Sequence, residues 1–136
     1  MVQLKMYDAG NAKMLRAKTK PIGRTVTGTA FAKVPRGSRI LYFILNGTPS
    51  DAGTTATMSI GTTAANANEL VSAYDVKTAA SGRGPSLLPA AGNNLLGALQ
   101  VTGDVVLYYK YAESGGASTV GAWNLSVVYT DGETLK

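Results

Sequence analysis

From Arg24 onward the chain is dominated by a two-residue period. In RTVTGTAFAKV (24–34), Val26, Ala30, Ala32 and Val34 fall on one side, and Thr25, Thr27, Thr29, Phe31 and Lys33 on the other. An extended strand sends successive side chains to opposite faces, so this alternation predicts a strand and excludes a helix over the same residues. RILYFILN (39–46) is apolar on both sides, as expected of a strand covered on two faces. TATMSI (55–60) alternates again, aligning Ala56, Met58 and Ile60. Near the C-terminus, DVVLYYKYAE (104–113) and VGAWNLSVVYT (120–130) flank ESGGAST, which reads as a glycine-containing hairpin loop; Trp123, Leu125, Val127 and Tyr129 share one face of the final strand.

The punctuation between these runs is turn chemistry. PRGS (35–38) and NGTPSDAG (46–53) place Pro, Gly, Asn and Asp where a chain reverses. SGRGPSLLPAAGNN (81–94) reads as a loop, because Gly82, Gly84, Pro85, Pro89 and Gly92 interrupt any regular element. ELVSAYDVKTAA (69–80) fits helical spacing through Leu70, Ala73, Tyr74 and Lys77, and strand spacing through Tyr74, Val76 and Thr78; a short strand over 74–79 is the preferred reading. SIGTTAANANEL (59–70) is built almost wholly of small residues, which suit a corner where backbones approach closely. Short strands about ten residues apart with glycine-rich turns predict an all-β, antiparallel sandwich or barrel. No helical run of 10–15 residues competes with it.

The 136 residues suffice for one domain with a sizeable core. Cys and His are both absent, which removes disulfides, thiolate nucleophiles, Cys/His zinc sites and imidazole bases. Stability therefore rests on burial and hydrogen bonding. A cysteine-free chain whose first residues, MVQLKMYDAG, lack the apolar block of a secretory signal is expected to assemble in a reducing cytoplasm. No apolar run reaches the roughly 18 residues of a membrane-spanning helix, so no membrane partner is expected.

The net charge of +5 is unevenly spread. Residues 1–39 contain Lys5, Lys13, Arg16, Lys18, Lys20, Arg24, Lys33, Arg36 and Arg39 against the single acid Asp8. The rest is slightly acidic. KMLRAKTKPIGR (13–24) concentrates Lys13, Arg16, Lys18, Lys20 and Arg24 without interleaved aromatics, and Met14, Leu15 and Ile22 add apolar anchors. These features predict a basic N-terminal arm over residues 1–23 ahead of a β-sandwich over 24–136. The arm suits an acidic protein surface better than a phosphate backbone, so direct nucleic-acid binding is not expected. The alternating VQLKMY (2–7) could pair with the edge of a neighbouring protein. The competing interpretation is a solvated terminus with no partner.

Catalytic readings fare poorly. Glycoside hydrolysis needs two carboxyl groups about 5–10 Å apart, yet Asp51, Asp104 and Asp131 all lie beside turn residues. Asn46-Gly47-Thr48 and Asn124-Leu125-Ser126 match the glycosylation sequon, but Asn-Gly is itself a turn signal. GRGP (82–85) is too short for a dinucleotide fingerprint. Tyr108, Tyr109, Tyr111, Trp123 and Tyr129 could stack on sugars or fill a β core, and core filling is the commoner use. No enzyme activity, catalytic residue, cofactor or metal is expected.

TATMSIGTTAANANELVSAYDVKTAA (55–80), GDVVLYYKY (103–111), AWNLSVVYT (122–130) and VPRGSRILYFIL (34–45) together resemble small structural proteins of tailed bacteriophages. The resemblance implies a jelly-roll-like β-sandwich and a virion component: a capsid decoration (cement) protein, a head fibre or a tail or baseplate part. It implies the major capsid protein as partner and a homo-oligomer, a trimer among the choices. The basic arm has no counterpart in that resemblance; assigning Lys13, Arg16, Lys18, Lys20 and Arg24 to capsid binding follows from their charge alone. A carbohydrate-binding module using Trp123 or the tyrosines is the alternative outside the virion.

Overall fold

A computed structural model describes residues 15–65, 67–77, 83–87 and 104–130. Among the described residues, eight strands make up two four-stranded antiparallel sheets. They are β1 (Leu15–Ile22), β2 (Thr29–Val34), β3 (Arg39–Thr48), β4 (Thr55–Gly61), β5 (Val71–Asp75), β6 (Arg83–Leu87), β7 (Val105–Ser114) and β8 (Ala122–Thr130). One sheet has the order β1-β8-β3-β6 and the other β2-β7-β4-β5. First thus pairs with last, second with seventh, third with sixth and fourth with fifth. A long antiparallel ribbon rolled onto itself gives this order, and the two sheets pack as a jelly roll.

The core between the sheets is built by the alternating faces. β8 contributes Trp123, Leu125, Val127 and Tyr129, β3 Ile40, Phe43 and Leu45, β4 Ala56, Met58 and Ile60, and β7 Leu107, Tyr109 and Tyr111, all buried. Phe31 meets Phe43 and Tyr109 edge-on, with ring centroids 6.4 Å apart in each case, the arrangement the ring quadrupole favours.

Several expectations change. β2 has a bulge between Ala30 and Ala32. The extra residue reverses the phase, so Phe31 and Val34 turn inward while Val26 is 64% exposed. A second bulge, between Ile40 and Tyr42, brings Ile40 and Phe43 onto the same inner side of β3; the outer side of that strand, Tyr42 and Ile44, is only half-buried. β5 runs over 71–75 rather than 74–79, and it ends as the buried Val76 donates its N–H to the Ala56 carbonyl. Thr78, Ala79 and Ala80 lie outside the described residues. Within the expected loop 81–94, residues 83–87 are a strand, β6, paired with β3. Its Pro85 is tolerated because β6 is an edge strand, where one missing N–H breaks no ladder.

ESGGAST does not close a hairpin: β7 and β8 belong to different sheets, so residues 115–121 form an arch across the sandwich. Residues 49–54, between β3 and β4, and 23–28, between β1 and β2, cross in the same way. All three arches lie at one end, where Ile22 pairs with Trp123, Gly47 with Trp123 and Thr55 with Ser114.

The small residues after Ser59 serve the packing expected of them. A Cβ on Gly28 would lie 2.0 Å from the Ala64 carbonyl oxygen, so main chain packs on main chain there. Glu69 fastens the same segment, accepting the Thr62 N–H at 2.9 Å and the Thr63 hydroxyl at 3.1 Å.

Candidate functional site

The basic segment was the leading functional feature of the sequence, and the structure places residues 15–22 within the sandwich as edge strand β1. The boundary drawn at residue 23 therefore falls after a strand that belongs to the body. Arg16, Lys18 and Lys20 pair with Tyr129, Val127 and Leu125, so they occupy the inward-facing side of β1, and Ile22 continues that side into the core. At the edge of the sandwich this side opens toward β2 instead of being sealed. Lys18 donates to the Lys33 carbonyl at 2.7 Å, and Lys20 approaches the Ala30 carbonyl at 3.5 Å. Both acceptors lie on β2, which among the described residues is the edge strand of the other sheet. The lysines thus staple the two sheets along their open side while their remaining N–H groups face solvent. Seven of the eight β1 residues are exposed.

Arg24 stands apart from these three. Its guanidinium donates to the Ser118 carbonyl and, at 3.5 Å, to the Thr119 carbonyl, holding the β7–β8 arch from an exposed position. Lys13 lies outside the described residues. The five basic residues therefore do not form one patch: Arg16, Lys18 and Lys20 line an edge, and Arg24 belongs to the arches.

A denser polar cluster, not anticipated as a unit, joins those arches. Asp51 accepts the Ser118 hydroxyl at 2.6 Å, the Thr119 hydroxyl at 2.8 Å and the Thr119 and Val120 N–H groups at 2.7 and 3.2 Å. Buried Ser50 lies 2.6 Å from the Tyr111 hydroxyl and donates to Ser118 Oγ at 2.9 Å. The Tyr111 hydroxyl donates to Glu113 at 2.8 Å, and Glu113 also accepts the Ser118 N–H at 3.2 Å. Gly115 is required in this arch: its φ of 83° is left-handed, and a Cβ would press on Thr54.

Serine, aspartate and tyrosine in contact suggest a nucleophile, but the chemistry is wrong. Hydrogen bonds from the Ser118 and Thr119 side chains, then from the Thr119 and Val120 backbone, hold the Asp51 carboxyl far below the usual carboxylate range. So weak a base cannot take a proton from serine. Ser118 is 5% exposed, leaving a substrate no approach. The cluster is a clasp. Among the described residues no group of three or more His, Cys, Asp or Glu could hold a metal.

The clasp has a pH signature. A carboxyl whose folded pKa is depressed contributes its full stability above the unfolded value of about 3.9 and loses it as pH falls toward the folded value. Glu69 works in the same direction: burial pushes its carboxyl up, but its hydrogen bonds from Thr62 and Thr63 outweigh that and leave it lowered. Asp51→Asn should lower the thermal midpoint at pH 7 and flatten its decline between pH 4 and 2, read by calorimetry. An unchanged midpoint at neutral pH would remove the clasp from the stability of the fold.

The aromatic platform resolves into core. Tyr109, Tyr111, Trp123 and Tyr129 are 4, 1, 5 and 3% exposed, respectively, too buried to stack on a sugar. Tyr108 alone of the five is turned outward, half-buried, on the sheet containing β7. A cleft of about 170 Å³ between β4 and β5 is lined by Thr54, Thr55, Ala56, Thr57, Asp75 and Lys77, none of them aromatic.

No protein-family model matches the chain, and no curated protein does. Among solved structures, a chain of the cyanophage Pam1 capsid asymmetric unit is similar in fold, with a TM-score of 0.64 at 17% identity. The similarity covers 90% of this chain and 88% of that one.

Proposed function

We propose that this protein is a non-enzymatic structural component of a tailed-phage virion, a decoration (cement) protein bound to the outer surface of the major capsid lattice. The observation that carries the reading is the structural similarity to a chain of the Pam1 capsid over nearly the full length of both. Matching coverage means that the two chains are of nearly equal length. A single small jelly roll suits an added subunit better than the lattice-building subunit itself. Jelly rolls also recur in lectins, but here four of the five candidate rings, Tyr109, Tyr111, Trp123 and Tyr129, fill the core.

The mechanism is mechanical. A stable contact buries on the order of 1,200–2,000 Å², and a subunit spanning a junction between capsid proteins ties them together against internal pressure. Assembly as a symmetric oligomer, such as a trimer, multiplies weak contacts into avidity. Lys13, Arg16, Lys18, Lys20 and Arg24 contribute a positive field that steers the protein to an acidic lattice and makes binding salt-sensitive.

Quantitative mass spectrometry of purified virions tests this reading. The expected result is hundreds of copies in a simple ratio to the major capsid protein. A dozen or fewer would move the protein to the tail, baseplate or head fibres, and absence from virions would overturn a structural role altogether.

A further inference from the structure

We propose that Asn46 is a fold-gated modification site: in chains that have not closed the sandwich it cyclises with Gly47 and opens to isoaspartate, and the isoaspartyl chain is then barred from the fold. The inference does not depend on the virion reading.

Asn46-Gly47 is the single Asn-Gly pair of the sequence. Glycine, without a Cβ, leaves its amide unhindered and its backbone free to turn. In a loose chain the Gly47 nitrogen can therefore reach the side-chain carbonyl carbon of Asn46. A bond forms from that nitrogen to Cγ as the Cγ–Nδ2 bond breaks, and Nδ2 departs as ammonia with the Gly47 amide proton. Water then opens the five-membered succinimide. Addition at Cγ gives aspartate; addition at the main-chain carbonyl gives isoaspartate, whose main chain runs through Cβ and Cγ. Both products exchange NH for O.

The pair has turn composition, yet it lies within β3, between β8 and β6. Its register on β8 runs from Tyr42 opposite Val128 through Asn46 opposite Asn124 and Gly47 opposite Trp123 to Thr48 opposite Ala122. The extended backbone of such a strand, with ψ about +135°, holds the Gly47 nitrogen away from Cγ. Closing the ring needs a large rotation that the pairing on either side resists. Asn46 is exposed, so its protection comes from the main chain and not from burial. Packing also fixes its reactive neighbour, because a Cβ on Gly47 would lie 2.1 Å from the Ala122 carbonyl oxygen.

Isoaspartate lengthens the main chain by one C–C bond, about 1.5 Å, where there is no slack. Upstream, Phe43 and Leu45 are buried in the core. Downstream, buried Ser50 donates its N–H to the Val76 carbonyl at 3.0 Å, and Asp51 holds the Ser118 hydroxyl at 2.6 Å. The added length slides either the β3–β8 register or the clasp out of hydrogen-bond reach. Aspartate keeps the backbone length and places its charge at an exposed position, so the aspartyl chain still folds.

The test incubates the intact protein at mildly alkaline pH, native in one sample and urea-unfolded in the other, and follows residue 46 by tandem mass spectrometry of the tryptic peptide 40–77. Isoaspartate should form at least tenfold more slowly in the native sample. Equal rates would overturn the gate, and this comparison needs no refolding. The unfolded sample is then diluted from urea, and refolded and unrefolded chains are separated by size. Isoaspartate at 46 should be confined to the unrefolded fraction, with aspartate at 46 in both; isoaspartate among the refolded chains would overturn the exclusion. Two variants separate backbone length from side-chain chemistry. Asn46→Asp should refold as the unaged protein does, and Asn46→Gln, which cannot close the five-membered ring, should keep its refolding yield after the same incubation. Failure of the unaged Asn46→Asp chain to refold would assign the exclusion to charge and not to length, against the proposal.

Discussion

Removing residues 1–14 should leave a soluble protein that unfolds cooperatively at an unchanged midpoint, whereas removing residues 1–22 should abolish the cooperative transition. Among the described residues, the ladder, core and clasp are complete from residue 15 onward, and β1 supplies the partner of β8 along eight positions. Its loss withdraws buried Ile22 from the core, worth about 1.5–3 kcal/mol. It also removes a row of backbone hydrogen bonds, each worth about 0.5–1.5 kcal/mol net. The lysine contacts to β2 go with it, and β8 is left as a new edge whose inner face is Trp123, Leu125, Val127 and Tyr129. Against a total stability of about 5–15 kcal/mol, that loss is large enough to unfold the domain. Calorimetry on the two truncations decides the matter: a folded protein lacking 1–22 would show that β1 is an appendage after all, as its charge suggests.

That contrast shows what the sequence discloses and what it hides. The alternation in TATMSI, DVVLYYKYAE and AWNLSVVYT is enough for an antiparallel all-β sandwich, because burial of one face per strand leaves a local period. Which sheet the next strand joins is not a local property: ESGGAST has hairpin composition, yet it spans the sandwich because Asp51, Glu113 and Arg24 receive it there. The clasp was equally hidden, since Ser50, Asp51 and Ser118 are ordinary turn residues until the arches bring them together. The basic segment misled for a different reason. Arg16, Lys18 and Lys20 alternate as regularly as any strand, and Ile22 continues their phase; the high charge masked the period. Charge is tolerated on an inward face only where the sandwich is open, at its edge.

The phase reversal in β2 yields the other large expected effect. Strict alternation puts Val26 in the core and Phe31 in solvent; the bulge between Ala30 and Ala32 exchanges them. Phe31 is 7% exposed and touches both Phe43 and Tyr109 with its ring. Phe31→Ala leaves a cavity between the sheets and should cost about 3–5 kcal/mol, a substantial share of the stability of such a domain. Val26, 64% exposed on the β1–β2 arch, should change stability by no more than about 0.5 kcal/mol when replaced by alanine. Urea titrations of both variants measure the two effects on one scale, with an unchanged slope confirming that both start from the same native state. The reverse ranking would mean that β2 runs without its bulge. The contacts of the Phe31 ring make the predicted order the one the packing demands, because a bulge that turned this ring outward again would strip both Phe43 and Tyr109 of an edge-on neighbour.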